Sequence, residues 1–122
     1  MYAVTKCNEG TISLLGSKRK KIEVEFVDKD ITSDAGILLA REVDKVIGLT
    51  KAASQGLNDK RDQTRIEHSI EEMLQQRIYA LVMGYEDLND HNSLRNDLAV
   101  QISVDKPSSL ASPSTLCRFE NN

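Results

Sequence analysis

The segment Gly84-Tyr-Glu-Asp-Leu-Asn-Asp-His-Asn-Ser-Leu-Arg-Asn-Asp97 follows the longest apolar helix pattern and divides the chain into two parts. It carries four carboxylates and one imidazole, opposed by a single guanidinium: Glu86, Asp87, Asp90, Asp97, His91 and Arg95. Asp90 and Asp97 each precede a short segment with apolar residues, where a carboxylate can cap the first turn of a helix. A metal site needs several carboxylates at one point, which density along the chain does not show. The segment therefore favours helix caps over a metal or acid/base site.

The strongest helix pattern precedes this segment and begins at Thr64. Thr64-Arg-Ile-Glu67 has the spacing of a capping box, in which a hydroxyl and a carboxylate satisfy two backbone N–H groups. Apolar residues then recur at spacings of three and four: Ile66, Ile70, Met73, Leu74, Ile78, Leu81, Val82 and Tyr85. This pattern predicts a central core helix packed on several partners. No second His or Cys lies at ligand spacing from His68, so a solvated or capped histidine is expected there.

The first 30 residues predict β-structure, because apolar residues alternate with polar and charged ones. Ile12–Leu14 and Ile22–Phe26 are candidate strands on either side of a break at Gly16-Ser17, which predicts a hairpin. Tyr2–Lys6 is a candidate third strand, with a turn at Asn8–Gly10.

Four consecutive cations occupy the turn of this hairpin: Lys18, Arg19, Lys20 and Lys21. Such a run is usually a solvated loop beside a strand. A phosphate contact is the alternative, and it gains weight only if the protein binds DNA on other grounds.

The period changes to that of a helix over Thr32–Gly48, with Thr32, Ser33 or Asp34 as the cap and Gly48 as the end. Its inward residues are predicted to be Leu39, Val43, Val46 and Ile47, with Ile31 and Ile37 bracing its start. A short second helix is expected over Thr50–Gln55, ending at Gly56 and anchored by Leu49 and Leu57. The polar run Asn58–Gln63 predicts an exposed loop.

The C-terminal part predicts two short helices. Asp97–Val104 carries Leu98, Ala99 and Ile102, and Asp105–Ser109 is a turn. Ser112-Pro113 then supplies a helix cap followed by proline at the first helical position. Leu116 and Phe119 are expected to face inward.

The last helix leaves hydroxyl, guanidinium and amide groups on its outer side: Ser114, Thr115, Arg118 and Asn121. These residue types contact phosphates and base edges in DNA complexes, and a helix N-terminus also favours anions. Together with Asp97–Val104 they indicate a helix-turn-helix, although the connection Asp105–Ala111 exceeds the three or four residues of that motif. The alternative is an ordinary amphipathic terminal helix with its polar side in water.

Composition limits the class of protein. The 122 residues are 39% hydrophobic and 29% charged, which is ordinary for one soluble domain, and the net charge of −3 excludes a generally basic surface. Cys7 and Cys117 lie far apart without ligand spacing, which favours a reduced compartment over a disulfide. No stretch approaches the roughly 18 apolar residues of a membrane helix, and no signal peptide is found. A cytoplasmic protein is therefore predicted.

Common catalytic motifs are absent from the sequence: it has no Walker loop, dinucleotide glycine fingerprint, serine nucleophile elbow or His-Glu-x-x-His helix. The acidic segment is the only candidate catalytic group. Two-metal DNA cleavage needs carboxylates that hold two cations roughly 3.5 to 4 Å apart, usually from separate elements of a sheet. The sequence crowds them at the exit of one helix instead.

Four pieces of sequence, taken in order, resemble the N-terminal part of bacterial insertion-sequence transposases with a DDE catalytic domain. They are Ile31-Thr-Ser-Asp-Ala-Gly36, Glu71-Glu-Met-Leu-Gln-Gln-Arg-Ile-Tyr-Ala-Leu81, Gly84-Tyr-Glu-Asp-Leu-Asn-Asp-His91 and Leu110-Ala-Ser-Pro-Ser-Thr-Leu-Cys-Arg-Phe-Glu-Asn121. The resemblance extends from about Ile22 to Asn122. It implies metal-dependent strand cleavage and transfer at the ends of a mobile element, with Mg²⁺ or Mn²⁺ as the full-length family's cofactor. In that family the catalytic acids lie downstream, so none is assigned to Asp87 or Asp90.

We therefore expect an α+β fold, mainly α, with a β segment over residues 1–30 and a compact helical region over residues 31–122. The expected function is that of a transposase fragment that contains no catalytic core, needs no cofactor and at most binds DNA at insertion-sequence ends. Its other expected partners are a second copy or a full-length transposase, and no membrane. Two alternatives stay open. One is a protein-interaction module or remnant without DNA binding, and the other is a small metal hydrolase that uses Glu86, Asp87, Asp90 and His91.

Overall fold

The computed structural model describes residues 11–17, 20–25, 34–106 and 108–121. Strands β1 (Thr11–Ser17) and β2 (Lys20–Glu25) form an antiparallel hairpin in which Ile12 pairs with Val24 and Leu14 with Ile22. The hairpin and the mainly helical α+β fold are confirmed. However, β1 continues through the expected break at Gly16-Ser17, where the register is irregular. The predicted third strand, Tyr2–Lys6, lies outside the described residues.

Helices α1 (Ile37–Ile47) and α2 (Leu49–Gln55) meet at Gly48, whose φ of 66° is left-handed and suits a residue without Cβ. Both helix ends predicted at glycines are confirmed. The predicted capping is wrong for Asp34, because Gly36 occupies the N-cap position without a side-chain cap. The Asp34 carboxylate instead accepts a hydrogen bond from the Tyr85 hydroxyl at 2.8 Å.

The predicted inward face of α1 is wrong. The residues expected in the core form an exposed apolar surface, named here the α1 stripe: Leu39, Val43, Val46 and Ile47. The buried face instead carries Ile37, Leu38, Arg41 and Asp44, and α1 packs through it on neighbouring helices. Leu49 and Leu57, the predicted anchors of α2, are likewise exposed.

Helix α3 (Ile70–Val82) begins later than predicted, because Ser69 and Glu72 form its capping box, five residues after the predicted Thr64 and Glu67. The Thr64 hydroxyl and N–H both donate to the Asp62 carboxylate, which holds this residue in a turn. α3 is central, as predicted, because it packs on α1, α2 and the last helix.

The inward side of α3 also departs from the predicted pattern. Its buried residues include two polar ones: Met73, Gln76, Tyr79 and Ala80. Leu81 and Val82 are exposed near the C-terminus of the helix. The predicted stripe is therefore wrong at that end.

The acidic segment forms a 3-10 turn (Leu88–Asp90) and α4 (His91–Leu94), and α5 (Leu98–Ser103) follows. Asp97 caps α5 by accepting from the Val100 N–H at 3.2 Å, as predicted. Asp90 makes no capping bond, and Asp87 caps the 3-10 turn instead. Leu98 is exposed, whereas Ala99 and Val100 are buried.

Helix α6 (Pro113–Glu120) has the predicted Ser112 cap and Pro113 start. Leu116 is fully buried and Phe119 packs against it, which confirms the predicted inward face. Leu116, Met73 and Ala111 make a small core under α6. The larger core joins the hairpin to the helices: Ile22, Ile37, Leu38, Tyr79, Ala80, Leu94, Ala99, Val100, Val104 and Leu110. Among the described helices, none has the length and apolarity needed to cross a membrane.

Candidate nucleic-acid interface

The outer side of α6, named here the α6 polar face, consists of Ser114, Thr115, Arg118 and Asn121. Ser114, Arg118 and Asn121 are exposed, and Thr115 is half-buried. Local hydrogen bonds hold two of these side chains: Arg118 Nη2 donates to Thr115 Oγ1 at 3.4 Å, and Asn121 Nδ2 donates to the Cys117 carbonyl at 2.7 Å. The face therefore presents hydroxyl, guanidinium and amide groups to solvent.

Two adjacent residues of α3 hold α6 in place. The Gln76 side chain donates to the Ala111 carbonyl at 3.0 Å and accepts from the Ala111 N–H at 3.1 Å, next to the helix cap. At the other end of the helix, Arg77 Nε donates to the Glu120 carboxylate at 2.5 Å. Gln76 is buried, so its hydrogen bonds form away from competing water. The polar face is therefore carried by a helix that is fixed near both ends.

A groove of about 770 Å³ lies between α6 and the loop after α2. We name it the α6 groove, and its lining is Leu57, Asn58, Asp59, Lys60, Arg61, Ile70, Met73, Thr115, Arg118 and Phe119. The lining combines apolar side chains with cations from both walls. A smaller groove of about 340 Å³ shares Arg61 and Thr115 with it and adds Arg65.

The cations of these grooves differ in how far they are neutralised. Arg61 donates from Nε and Nη2 to the two oxygens of Asp59, both at 2.8 Å. These hydrogen bonds lower the pKa of Asp59 well below its ordinary value and raise the pKa of Arg61. Arg65 Nε lies 3.6 Å from Asp62 Oδ2, in an exposed ion pair. Within the described part of the chain, Lys60 and Arg118 make no ion pair.

Comparison with protein families matches residues 15–122 to the family described as transposase DDE domain group 1. The chain belongs to this transposase family. The match covers most of the 122 residues, and it confirms the resemblance found in the sequence motifs. Neither the comparison with curated proteins nor the comparison with solved structures found a similar protein.

The structure does not confirm the helix-turn-helix expected at the C-terminus of this transposase-family chain. α5 packs mainly on α1, whereas α6 packs on the 3-10 turn and α3. The segment between them runs from Val104 to Ser112, which is longer than the short turn of that motif. The α6 polar face is therefore the surface of a single helix and not part of a helix-turn-helix motif.

The DDE transposase family implies a divalent metal, and the acidic segment does not fit one. In the described ranges, no group of three or more His, Cys, Asp or Glu side chains could hold a metal ion. Asp87 and Asp97 act as caps, while His91 is fully buried and Glu86 and Asp90 are exposed. The four residues proposed for a metal hydrolase are therefore not brought together.

His91 has a structural position that the sequence did not reveal. Its Nδ1 lies 3.1 Å from Gln76 Nε2, so the amide donates and the proton of neutral His91 lies on Nε2. Nε2 has no hydrogen-bond partner among the described residues. Burial, followed by the charge of Arg77, lowers the pKa of His91. The imidazole is therefore a neutral core group.

The basic run of the hairpin is only partly described in this transposase-family structure. Lys18 and Arg19 lie outside the described residues, and Lys20 begins β2. Lys21 is exposed and forms an ion pair with Glu23. The hairpin contacts α1, so this cluster and the α6 polar face are carried by different elements.

Of the cations that line the α6 groove, the sequence predicts Arg118 as a DNA contact but not Lys60 or Arg61. The sequence predicts Asn58–Gln63 only as an exposed loop, and in the structure Asp59 and Arg61 of this loop are half-buried. The signal was present in Lys60, Arg61 and Arg65, three cations within six residues. What the sequence did not show is that this loop lies beside α6.

Proposed function

We propose that this chain binds DNA through the α6 polar face, as the part of an insertion-sequence transposase that holds the ends of the element. Family membership supports a transposase-related function. The observation that carries the proposal is an exposed Arg118 without an ion pair among the described residues, flanked by Ser114 and Asn121 on a well-anchored helix. The proposal assigns no bond-breaking step to the chain.

The chemistry of the face suits a duplex. A guanidinium binds phosphate oxygens or the edge of guanine with paired hydrogen bonds, and hydroxyl and amide groups bind phosphates and base edges. The groups of the face make only local contacts within the protein: Arg118 with Thr115 at 3.4 Å, Asn121 with the Cys117 carbonyl at 2.7 Å, and the Ser114 and Thr115 hydroxyls with Ser112. DNA would compete with these contacts. Because the chain carries a net charge of −3, attraction must come from this local patch.

The proposal is tested by fluorescence anisotropy of the purified chain with duplex DNA of an insertion-sequence end and of mixed sequence. We expect binding at low salt that weakens as salt rises, with a slope of about −0.9 in log affinity per phosphate contact. Arg118→Ala should weaken binding, because it removes the cation of the face. The matched control is Lys51→Ala, an exposed cation on α2 with no ion pair in the described chain.

Two outcomes would contradict the proposal. One is the absence of any anisotropy change at low salt. The other is nicking or strand transfer with Mg²⁺ or Mn²⁺ that is lost in Asp87→Ala or Asp90→Ala, which would instead make the acidic segment catalytic.

The α1 stripe favours a second candidate function, a protein-interaction module that contacts a second copy or a transposase. Its four large apolar side chains are between 58% and 63% exposed and lie on one side of one helix. Contiguous apolar surface of this kind commonly marks protein contacts. Sedimentation of the wild-type chain against a Leu39→Ser, Val43→Ser variant tests this candidate, and a monomeric wild type at high concentration counts against self-association.

A further inference from the structure

The α6 groove joins two walls that lie far apart in sequence. One wall is the 57–61 loop, and the other is the side of α6 that carries Thr115, Arg118 and Phe119. The groove therefore opens beside the α6 polar face, and Thr115 and Arg118 belong to both. DNA that contacted this face would place part of its backbone over the groove.

The charges of the groove favour an anion at one position. Asp59 is the acidic residue of the lining, and Arg61 neutralises it through two hydrogen bonds. This leaves Lys60 on the loop wall and Arg118 on the helix wall, neither in an ion pair within the described ranges. A cation on each wall of one groove, with the Thr115 hydroxyl beside Arg118 on the helix wall, provides the donors that a phosphate group binds.

We propose that the α6 groove binds a backbone phosphate of DNA, held between Lys60 and Arg118 with the Thr115 hydroxyl as a further donor. This inference rests on the proposed DNA binding and specifies a second wall of the interface, on the 57–61 loop. Lys60 acts there as a point charge, so its contribution is the same for every DNA sequence. The apolar residues of the lining are Leu57, Ile70, Met73 and Phe119.

The test measures DNA affinity and its salt dependence for variants of the loop wall. Lys60→Ala should weaken binding by a similar factor on mixed-sequence and element-end duplexes. It should reduce the magnitude of the salt slope by less than about 0.9, because Arg118 still contacts the phosphate. Lys60→Arg should restore both values, because it keeps the charge. Asp59→Asn should strengthen binding, because it removes the acid that neutralises Arg61. Lys51→Ala is the control and should match the wild type.

A double variant tests whether both cations hold the same phosphate. If they do, the combined loss in Lys60→Ala, Arg118→Ala should differ from the sum of the two single losses, since neighbouring groups on one ligand are coupled. Circular dichroism and thermal unfolding of each variant confirm that the fold is intact.

The outcomes separate this inference from the proposed function. In one outcome, the wild type binds DNA and Arg118→Ala weakens binding, but Lys60→Ala behaves like Lys51→Ala. The α6 polar face then binds DNA alone, and the phosphate site in the groove is refuted. If the wild type does not bind DNA at low salt, both proposals fail. Additive losses in the double variant refute the shared phosphate.

Discussion

The two sides of α1 show opposite relations between residue type and burial. The outer side is the α1 stripe, in which Leu39 and Val43 are 61% and 58% exposed. The inner side carries Arg41 and Asp44, of which Arg41 is fully buried. A hydrophobic pattern alone would place the helix the other way round. The side of α1 that is buried is therefore decided by the hydrogen-bond and ion-pair partners available to it, and not by the hydrophobic pattern.

The buried polar groups of α1 bind both neighbouring residues and residues that are distant in sequence. Arg41 donates to Glu42 at 2.9 Å and to Asp105, 64 positions away, at 3.0 Å. Asp44 accepts from the Thr50 N–H and hydroxyl and from the Tyr79 hydroxyl. Burial raises the pKa of Asp44, but these hydrogen bonds outweigh it and hold the pKa below its ordinary value. The inner side is thus a network that ties α1 to α2, α3 and the turn after α5.

The largest effect is expected from Arg41→Ala. It leaves Asp105 and Glu42 without their buried cation and opens space in the core, so the free energy of unfolding should fall by about 3 kcal/mol. This lies at the low end of the usual range because both acids are partly solvated. Urea unfolding measures the change, with Arg65→Ala, in an exposed pair, as the control. A loss comparable to that control would show that the inner side of α1 is not a connected network.

A smaller effect is expected from acid, through His91. Burial depresses the pKa of His91 below 6.5, so the unfolded chain binds a proton more readily than the folded chain. The contribution of His91 to stability is therefore complete above pH 6.5 and is lost as the pH falls below it, by at most about 1.4 kcal/mol per pH unit. Urea unfolding at several pH values checks this.

The variant His91→Gln separates this contribution from that of other groups. The pKa of His68 is also lowered, by burial and then by Lys106, so His68 acts in the same direction and is replaced by Gln in a parallel variant. Stability of His91→Gln should fall less between pH 7 and pH 5.5 than stability of the wild type. An identical pH dependence in both would mean that folding does not shift the pKa of His91.

The smallest effect is expected from the α1 stripe. Leu39→Ser should change the free energy of unfolding by no more than about 0.5 kcal/mol, because the side chain is mostly in water already. Thermal and urea unfolding at low protein concentration measure this. A loss of about 2 kcal/mol or more would remove the contrast between the two sides of α1, since it would require Leu39 to be buried in solution.

Local signals in the sequence predicted the fold class, both glycine helix ends, the Asp97 and Ser112 caps and the inward Leu116. Each of these depends on neighbours within a few positions. The start of α3 was predicted wrongly because Thr64 and Ser69 are both followed, three residues later, by glutamate. Local pattern does not distinguish two identical capping boxes. In the structure, Lys106 donates to the Glu72 carboxylate at 3.2 Å. The glutamate of the Ser69 capping box therefore has an additional partner, from a turn that is distant in sequence.

The inner side of α1 and the groove depend on contacts that are distant in sequence. Asp105 and Tyr79 satisfy Arg41 and Asp44, and the 57–61 loop meets α6 across more than fifty residues. Neither pairing leaves a periodic signal. For the candidate site, the sequence therefore predicted the α6 polar face but not the cation on the facing wall.

The attachment of α6 to α3 has a mechanical consequence. Gln76 and Arg77 are successive residues, yet one binds the chain just before α6 and the other binds its last residue. A tilt of α6 in either direction would stretch one of these attachments, so force applied to the helix is passed on to α3. Tyr79, one turn beyond Gln76, then carries the load to Asp44 on α1. A continuous hydrogen-bonded connection thus runs from α6 through α3 to α1.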